Sequence, residues 1–197
     1  MSDFLSFDTL SLHAGQTLDS EFGSRAQPIH QTTSYVFTDT DTASSLFNLE
    51  RGGHVYNRIS NPTVGVLEQR VAALEGGSAS VCVASGMSAV FCALTALVSQ
   101  GDHVVASANM YGGNISLLKN TLPRFGITAT FVDPTDIKQI ESAIQENTKI
   151  IFGELIGNPG LSVMDIEAVS KICSKHHLPL MIDGTFNTPY LCRCFEY

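Results

Sequence analysis

The sequence predicts an α/β fold: a mostly parallel sheet covered by helices on both faces. Three observations carry that expectation. Short apolar runs alternate with amphipathic stretches from residue 79 to residue 182, the pattern of strands joined by crossover helices. The segment Ala79–Val98 reads as a buried strand, a tight Ser85-Gly86-Met87 turn and an apolar helix. Polar residues then collect just after the predicted strands, where open α/β sheets place their ligands.

Each element has its own signal. Up to about residue 58 there is no sustained periodicity, only turn signals at Gly15, Gly23 and Pro28 and a short strand-like run at Ser34–Phe37. This stretch is expected to be an arm (residues 1–58) that wraps its own domain or reaches a neighbour; residues 59–197 are expected to form the first part of a ligand-binding domain, without its remainder or a C-terminal domain. Asn61 is a suitable N-cap and Pro62 suits the first helical position. Val64, Leu67, Val71 and Leu74 then form an apolar stripe that ends at Gly76-Gly77. In Ala79–Val98 a strand over Ala79–Ala84 leads into a helix whose Met87, Val90, Phe91, Leu94 and Leu97 or Val98 share a face. No charged residue lies between Gly76 and Gly101, but six Ser and Thr residues and Gly86 interrupt the run, which argues against a membrane span. A strand is expected at His103–Ala106, then a helix from about Gly113 carrying Ile115, Leu118 and Leu122 and closed by Pro123 and Gly126. Strand Thr128–Val132, a helix from about Thr135 with Ile137, Ile140 and Ile144, strand Ile150–Leu155, helix Asp165–His176 and strand Pro179–Ile182 complete the series.

Composition narrows the function. A chain of 197 residues with 44% hydrophobic and 15% charged residues is long enough for a substantial core. Its net charge of −8 and scattered basic residues disfavour nucleic acid and anionic membranes as partners. The N-terminus lacks the basic and apolar regions of a signal peptide. The five cysteines form no C-x-x-C pair, consistent with reduced, structural thiols in the cytoplasm. Cys192 and Cys194 have no further paired ligands nearby in sequence, so no metal site is expected.

Four features converge on the expected carboxyl edge of the sheet: Ser85-Gly86-Met87, Tyr111-Gly112-Gly113, the stretch Glu154–Pro159, and Asp183. The small-residue turn before a helix offers unpaired N–H groups to an anion. Taken singly, these are also an ordinary strand–helix connection, a loop aromatic, a turn initiator and a helix cap. No G-x-G-x-x-G or G-x-x-x-x-G-K-[ST] motif is present.

Tyr56-Asn57-Arg58-Ile59-Ser60-Asn61-Pro62-Thr63, Ser85-Gly86-Met87-Ser88-Ala89, Tyr111-Gly112-Gly113, Gly157-Asn158-Pro159 and Asp183-x-Thr185 occur in an order and spacing that resembles the pyridoxal-phosphate enzymes of cysteine and methionine metabolism. Leu12-His13-Ala14-Gly15, the run Pro28–Phe37 and Ile156-Gly157-Asn158-Pro159 look most like the O-acetylhomoserine sulfhydrylase branch. The resemblance implies a fold-type I transferase (aspartate-aminotransferase-like) that binds pyridoxal 5'-phosphate. The implied reaction joins O-acetyl-L-homoserine and sulfide to give L-homocysteine and acetate. Cystathionine γ-synthase, methionine γ-lyase and a non-catalytic cofactor-binding module are the alternatives.

By that resemblance Gly86 and Met87 offer backbone N–H groups to the cofactor phosphate, and Tyr56 and Arg58 reach the same phosphate from a neighbouring subunit. Tyr111 stacks on the pyridine ring and moves protons, Asp183 with Thr185 anchors the ring nitrogen, and Asn158 lies near the ring hydroxyl or substrate carboxylate. A homodimer with shared sites, assembled into a tetramer, is implied. Gly184 stands where the family usually has Asn, and the resemblance puts the cofactor-bearing lysine beyond Tyr197, so residues 1–197 alone are expected to be inactive.

Overall fold

A computed structural model describes residues 5–197; the first four residues of the expected arm lie outside it. The chain divides into two compact units, one up to Cys82 and one from Val83 onward.

Among its described residues the first unit holds three helices, α1 (Phe7–His13), α2 (Thr40–Phe47) and α3 (Pro62–Glu75). Helices α1 and α2 were not foreseen. Both are short and lean on side-chain caps, Ser6 accepting from the Thr9 N–H and Asp39 from that of Thr42, a signal that apolar periodicity does not contain. The expected strand at Ser34–Phe37 reduces to one antiparallel bridge between Ser34 and Tyr56. Asn61 is the tie of the unit. Its Oδ1 accepts the N–H groups of Thr63 and Val64, while its Nδ2 donates to the His30 carbonyl and to Asn57 Oδ1. Gly76 ends α3 at φ 74°, the left-handed conformation that favours glycine. The apolar stripe of α3 is not a core face: Val64 and Leu67 are exposed and no residue of the helix is fully buried. A stripe becomes core only when something covers it, and the chain at Ala14 and Gly15 lies instead against Val66 and Arg70.

The second unit is the predicted α/β layer structure. Four parallel strands, β1 (His103–Ser107), β2 (Thr128–Val132), β3 (Thr148–Glu154) and β4 (Leu180–Asp183), lie in the order β2-β1-β3-β4. Alternate residues of the strands feed opposite faces. Val104, Ala106, Ile150 and Phe152 pack with Val90 and Leu94 of α4 (Gly86–Leu97), with Val98 just after it, and with Leu117, Leu118 and Leu122. Val105 and Ile151 pack on the other side with Ile140 of α6 (Ile137–Ser142) and Ile166, Val169 and Ile172 of α7 (Ile166–His176). Burying aliphatic side chains of this size stabilises by about 1.5–3 kcal/mol each, so this sandwich is the main source of the unit's stability.

Three expectations are corrected here. The strand over Ala79–Ala84 does not form, and Val81 is 83% exposed. A strand needs a paired neighbour, and no strand among the described residues pairs with it; Ser80 Oγ and the Cys82 N–H bond instead to Glu68 of α3. In α4 the buried row is Val90, Leu94 and Val98, leaving Phe91 and Leu97 exposed. The helix expected from Gly113 starts as α5 (Gly112–Ser116), widens into a π-type turn at Leu117–Thr121 and tightens into a 3₁₀ turn at Leu122–Phe125. Proline at 123 lacks the N–H that a regular helix would use. A short helix, α8 (Thr188–Leu191), follows β4. No helix among the described residues is long and apolar enough to cross a membrane.

Candidate active site

A cavity of about 360 Å³ opens at the carboxyl end of β3 and β4. Strand register creates its polar wall. Glu154 pairs with Asp183 as the last residues of neighbouring parallel strands. Both follow the Ile150, Phe152 and Met181 alternation, so both carboxylates point to the sheet face that α4 and α5 cover.

Four segments complete the wall. Ser85 caps α4, its Oγ accepting the Ser88 N–H at 3.1 Å, and Gly86 and Met87 occupy the first helical positions, whose N–H groups have no carbonyl partner inside the helix. Apart from its chain neighbours and its own helix backbone, no atom lies within 4 Å of the place where a Cβ on Gly86 would sit. Tyr111 precedes α5, lines the cavity and is 53% exposed. Gly113 permits that ring position: an added Cβ would stand 2.5 Å from the Tyr111 ring and 2.9 Å from Met87 Sδ. Asn158 follows β3 and is joined to Pro159 by a cis peptide bond. Asp183 Oδ1 accepts the Thr185 N–H at 3.1 Å and also the Thr185 hydroxyl. Gly184 has a local reason: a side chain there would press on the buried Asn187 amide at 3.3 Å.

Behind this wall lies a buried polar network. Glu154 Oε1 accepts the Tyr111 N–H at 2.7 Å and the Asn114 Nδ2 at 3.0 Å; the same Nδ2 donates to Asp183 Oδ2 at 3.3 Å. Two carboxylates converge on one end of the Asn114 amide, so that end must be the NH₂. Its Oδ1 is left buried without a partner, a cost of about 1–3 kcal/mol. Burial pushes the Glu154 carboxyl above its ordinary pKa, and the nearby Asp183 charge adds to the rise; the hydrogen bonds from Tyr111 and Asn114 pull the other way.

Of the eight residues expected to form the site, Gly86, Met87, Tyr111, Asn158, Asp183 and Thr185 line this one cavity. Tyr56 and Arg58 belong to the first unit, where the Arg58 guanidinium stands 5.0 Å from the Tyr56 ring centroid. Asn114 was missed, and Glu154 was named only as the start of the stretch Glu154–Pro159, with no site role of its own. The signal for Glu154 was its charge at the end of the buried run Thr148–Leu155; for Asn114 it was a polar side chain one turn after Tyr111.

Comparison with known proteins decides the family. The model of the Cys/Met metabolism PLP-dependent enzymes matches residues 8–197. The chain belongs to this family. It is 48% identical to a homocysteine synthase of Schizosaccharomyces pombe over 97% of its own length and 45% of that protein's. It is likewise 48% identical to an O-acetyl-L-homoserine sulfhydrylase of Leptospira meyeri, over 96% of this chain and 43% of that one. Among solved structures, one assigned as an O-acetylhomoserine (thiol)-lyase from Campylobacter jejuni, carrying a pyridoxyl-lysine monophosphate, superposes with a TM-score of 0.94 at 42% identity. That match covers 98% of this chain and 47% of the other. The chain thus spans less than half the length of the curated relatives it matches, and its fold is that of the fold-type I pyridoxal-phosphate enzymes.

The cavity residues fit the family's cofactor. The start of α4 presents open N–H groups to a phosphate, Tyr111 offers an aromatic face, and Asp183 offers a carboxylate to a protonated ring nitrogen. The titratable side chains lining the cavity are Tyr111, Glu154 and Asp183, so no cation there competes with a protonated ring nitrogen for the Asp183 carboxylate.

Proposed function

We propose that the intact protein is a cytoplasmic O-acetyl-L-homoserine sulfhydrylase, combining O-acetyl-L-homoserine with sulfide to give L-homocysteine and acetate. The observation that carries this reading is the convergence of Gly86, Met87, Tyr111, Asn158 and Asp183 on one cavity, together with the names of the relatives.

When bound, pyridoxal phosphate supplies an electron sink for a carbanion next to the substrate amine. The chain's own residues do the rest. Gly86 and Met87 bind the phosphate through N–H groups, each bond to a charged group contributing about 1.5–3 kcal/mol. Asp183, held by Thr185, keeps a proton on the ring nitrogen. Tyr111 fixes the ring plane and exchanges a proton with the substrate amine. Asn158 orients the substrate carboxylate or the ring hydroxyl.

The proposal includes a homo-oligomer, a dimer of shared sites paired into a tetramer, in which Tyr56 and Arg58 serve the phosphate of the partner subunit. Support comes from the first unit, where residues 1–58 form the proposed intersubunit arm. Phe22, Ile29, Val36 and Leu49 of that arm are each at least 77% exposed, apolar side chains that a partner subunit would cover. The proposal also includes a cofactor-bearing lysine in the part of the relatives' length that this chain does not span.

Product analysis tests the reaction. The intact protein given O-acetyl-L-homoserine should form homocysteine and acetate only when sulfide is present. Sulfide-independent release of 2-oxobutyrate and ammonia would identify a γ-lyase and reject the proposal. For the shared site, Arg58→Ala and a variant lacking the cofactor lysine should each be inactive, and mixed dimers should recover one working site. Confirmed mixed dimers without activity would place Arg58 in its own subunit's site.

A further inference from the structure

None of the roles above uses Glu154 or Asn114, yet these are the two most buried polar side chains lining the cavity. We propose that Glu154 and Asn114 are positioning residues that lock Tyr111 to Asp183, so that the aromatic face and the ring-nitrogen anchor are set as one unit. The inference deepens the cofactor-binding reading of this cavity and rests on it.

The bonds form a closed path. The Tyr111 N–H donates to Glu154 Oε1, Asn114 Nδ2 donates to the same oxygen, and Asn114 Nδ2 donates onward to Asp183 Oδ2. The Asn114 N–H returns to the Tyr111 carbonyl at 2.9 Å. A residue that merely capped the short α5 would need one bond to the Tyr111 N–H. Glu154 does that from the end of β3 and also fixes an amide that reaches β4. An apolar residue at 154 would extend the packing of Ile150 and Phe152 without burying a carboxylate. The amide at 114 leaves its own oxygen unpartnered in order to face two carboxylates. Both choices cost folding stability, and what they secure is the spacing of Tyr111 and Asp183 across the cavity.

A double-mutant cycle on cofactor affinity tests this. Pyridoxal phosphate is titrated into the intact apoprotein, with binding followed by the cofactor's absorbance, for Asn114→Ala, Glu154→Ala and the double variant. Each single change should weaken binding about 10-fold, the scale of one lost hydrogen bond to a charged group. The double variant should be little worse than the weaker single, because both act through one linkage. Glu154→Gln keeps an oxygen for the Tyr111 N–H and should lose less than Glu154→Ala. Losses that multiply to about 100-fold in the double variant overturn the linkage. So does a lowered melting temperature with an unchanged cofactor dissociation constant, which is what a purely structural role gives. If the alanine variants do not fold, the same-sized Asn114→Asp carries the test: it removes the donor and adds a carboxylate, and unchanged cofactor binding overturns the proposal. A wild-type protein that binds the cofactor but makes no homocysteine sinks the reaction and leaves the linkage standing; one that does not bind the cofactor sinks both.

Discussion

Buried polar clusters sit at both ends of the same sheet, and they are built on opposite principles. At the amino end, His103 is buried at the start of β1. Its Nδ1 pairs with Thr148 Oγ1 at 2.8 Å, its Nε2 with Thr130 Oγ1 at 2.9 Å, and Gln145 approaches the same nitrogen at 3.3 Å. Every ring nitrogen is matched, the groups are neutral, and three segments are stitched together. At the carboxyl end, two carboxylates share one amide, an oxygen is left unpartnered, and an open cavity adjoins. A polar cluster that satisfies itself stabilises a fold. One that leaves charge and an acceptor uncompensated gives up stability for a ligand, as functional sites do.

This contrast predicts that changes at the carboxyl end remove function and changes at the amino end remove stability. The largest effect is expected for Asp183→Ala in the intact protein: turnover in the proposed reaction should fall to background with the fold retained, as judged by circular dichroism. Near-normal turnover with bound cofactor would reduce Asp183 to a cap for Thr185. Tyr111→Phe comes next. It keeps the ring and the N–H that Glu154 accepts, so cofactor should stay bound while kcat falls by about 10²-fold, the scale of a lost acid–base group. An unchanged kcat would leave Tyr111 as a stacking surface.

At the other end, His103→Ala removes the imidazole partner of the Thr130 and Thr148 hydroxyls and should cost about 1–3 kcal/mol of stability in denaturant unfolding, with kcat unaltered. A kcat loss without destabilisation would erase the distinction between the two ends. The smallest effect concerns pH. Burial lowers the His103 pKa below its ordinary 6.5, so above that value the ring is neutral in both folded and unfolded states. As pH falls below about 6.5 the unfolded chain takes up a proton that the folded one resists, and stability drops. The loss should be smaller in His103→Gln; equal slopes for the two proteins in unfolding measurements between pH 7 and 5 would assign the effect to other groups. The buried Cys173 thiol, pushed up to about 11, is a weak nucleophile at neutral pH. Brief treatment of the folded protein with iodoacetamide should leave it unmodified.

By itself the sequence determined the second unit nearly element by element. Strand Thr128–Val132 and helix α7 fall where the apolar periods put them, α7 starting one residue after the expected Asp165, which caps it. Such signals are local: a helix or strand period and a capping side chain act within a few residues. The motifs around Tyr111, Asn158 and Asp183 were equally legible, because loops after parallel strands must hold short, specific residues. Tertiary structure alone decided the rest. It denied Ala79–Ala84 a partner strand, turned Val64 and Leu67 of α3 outward, and paired Glu154 with Asp183. It also carried Asn114 between them. Pairing register and burial depend on which surfaces meet, and that information is spread over residues far apart in the chain.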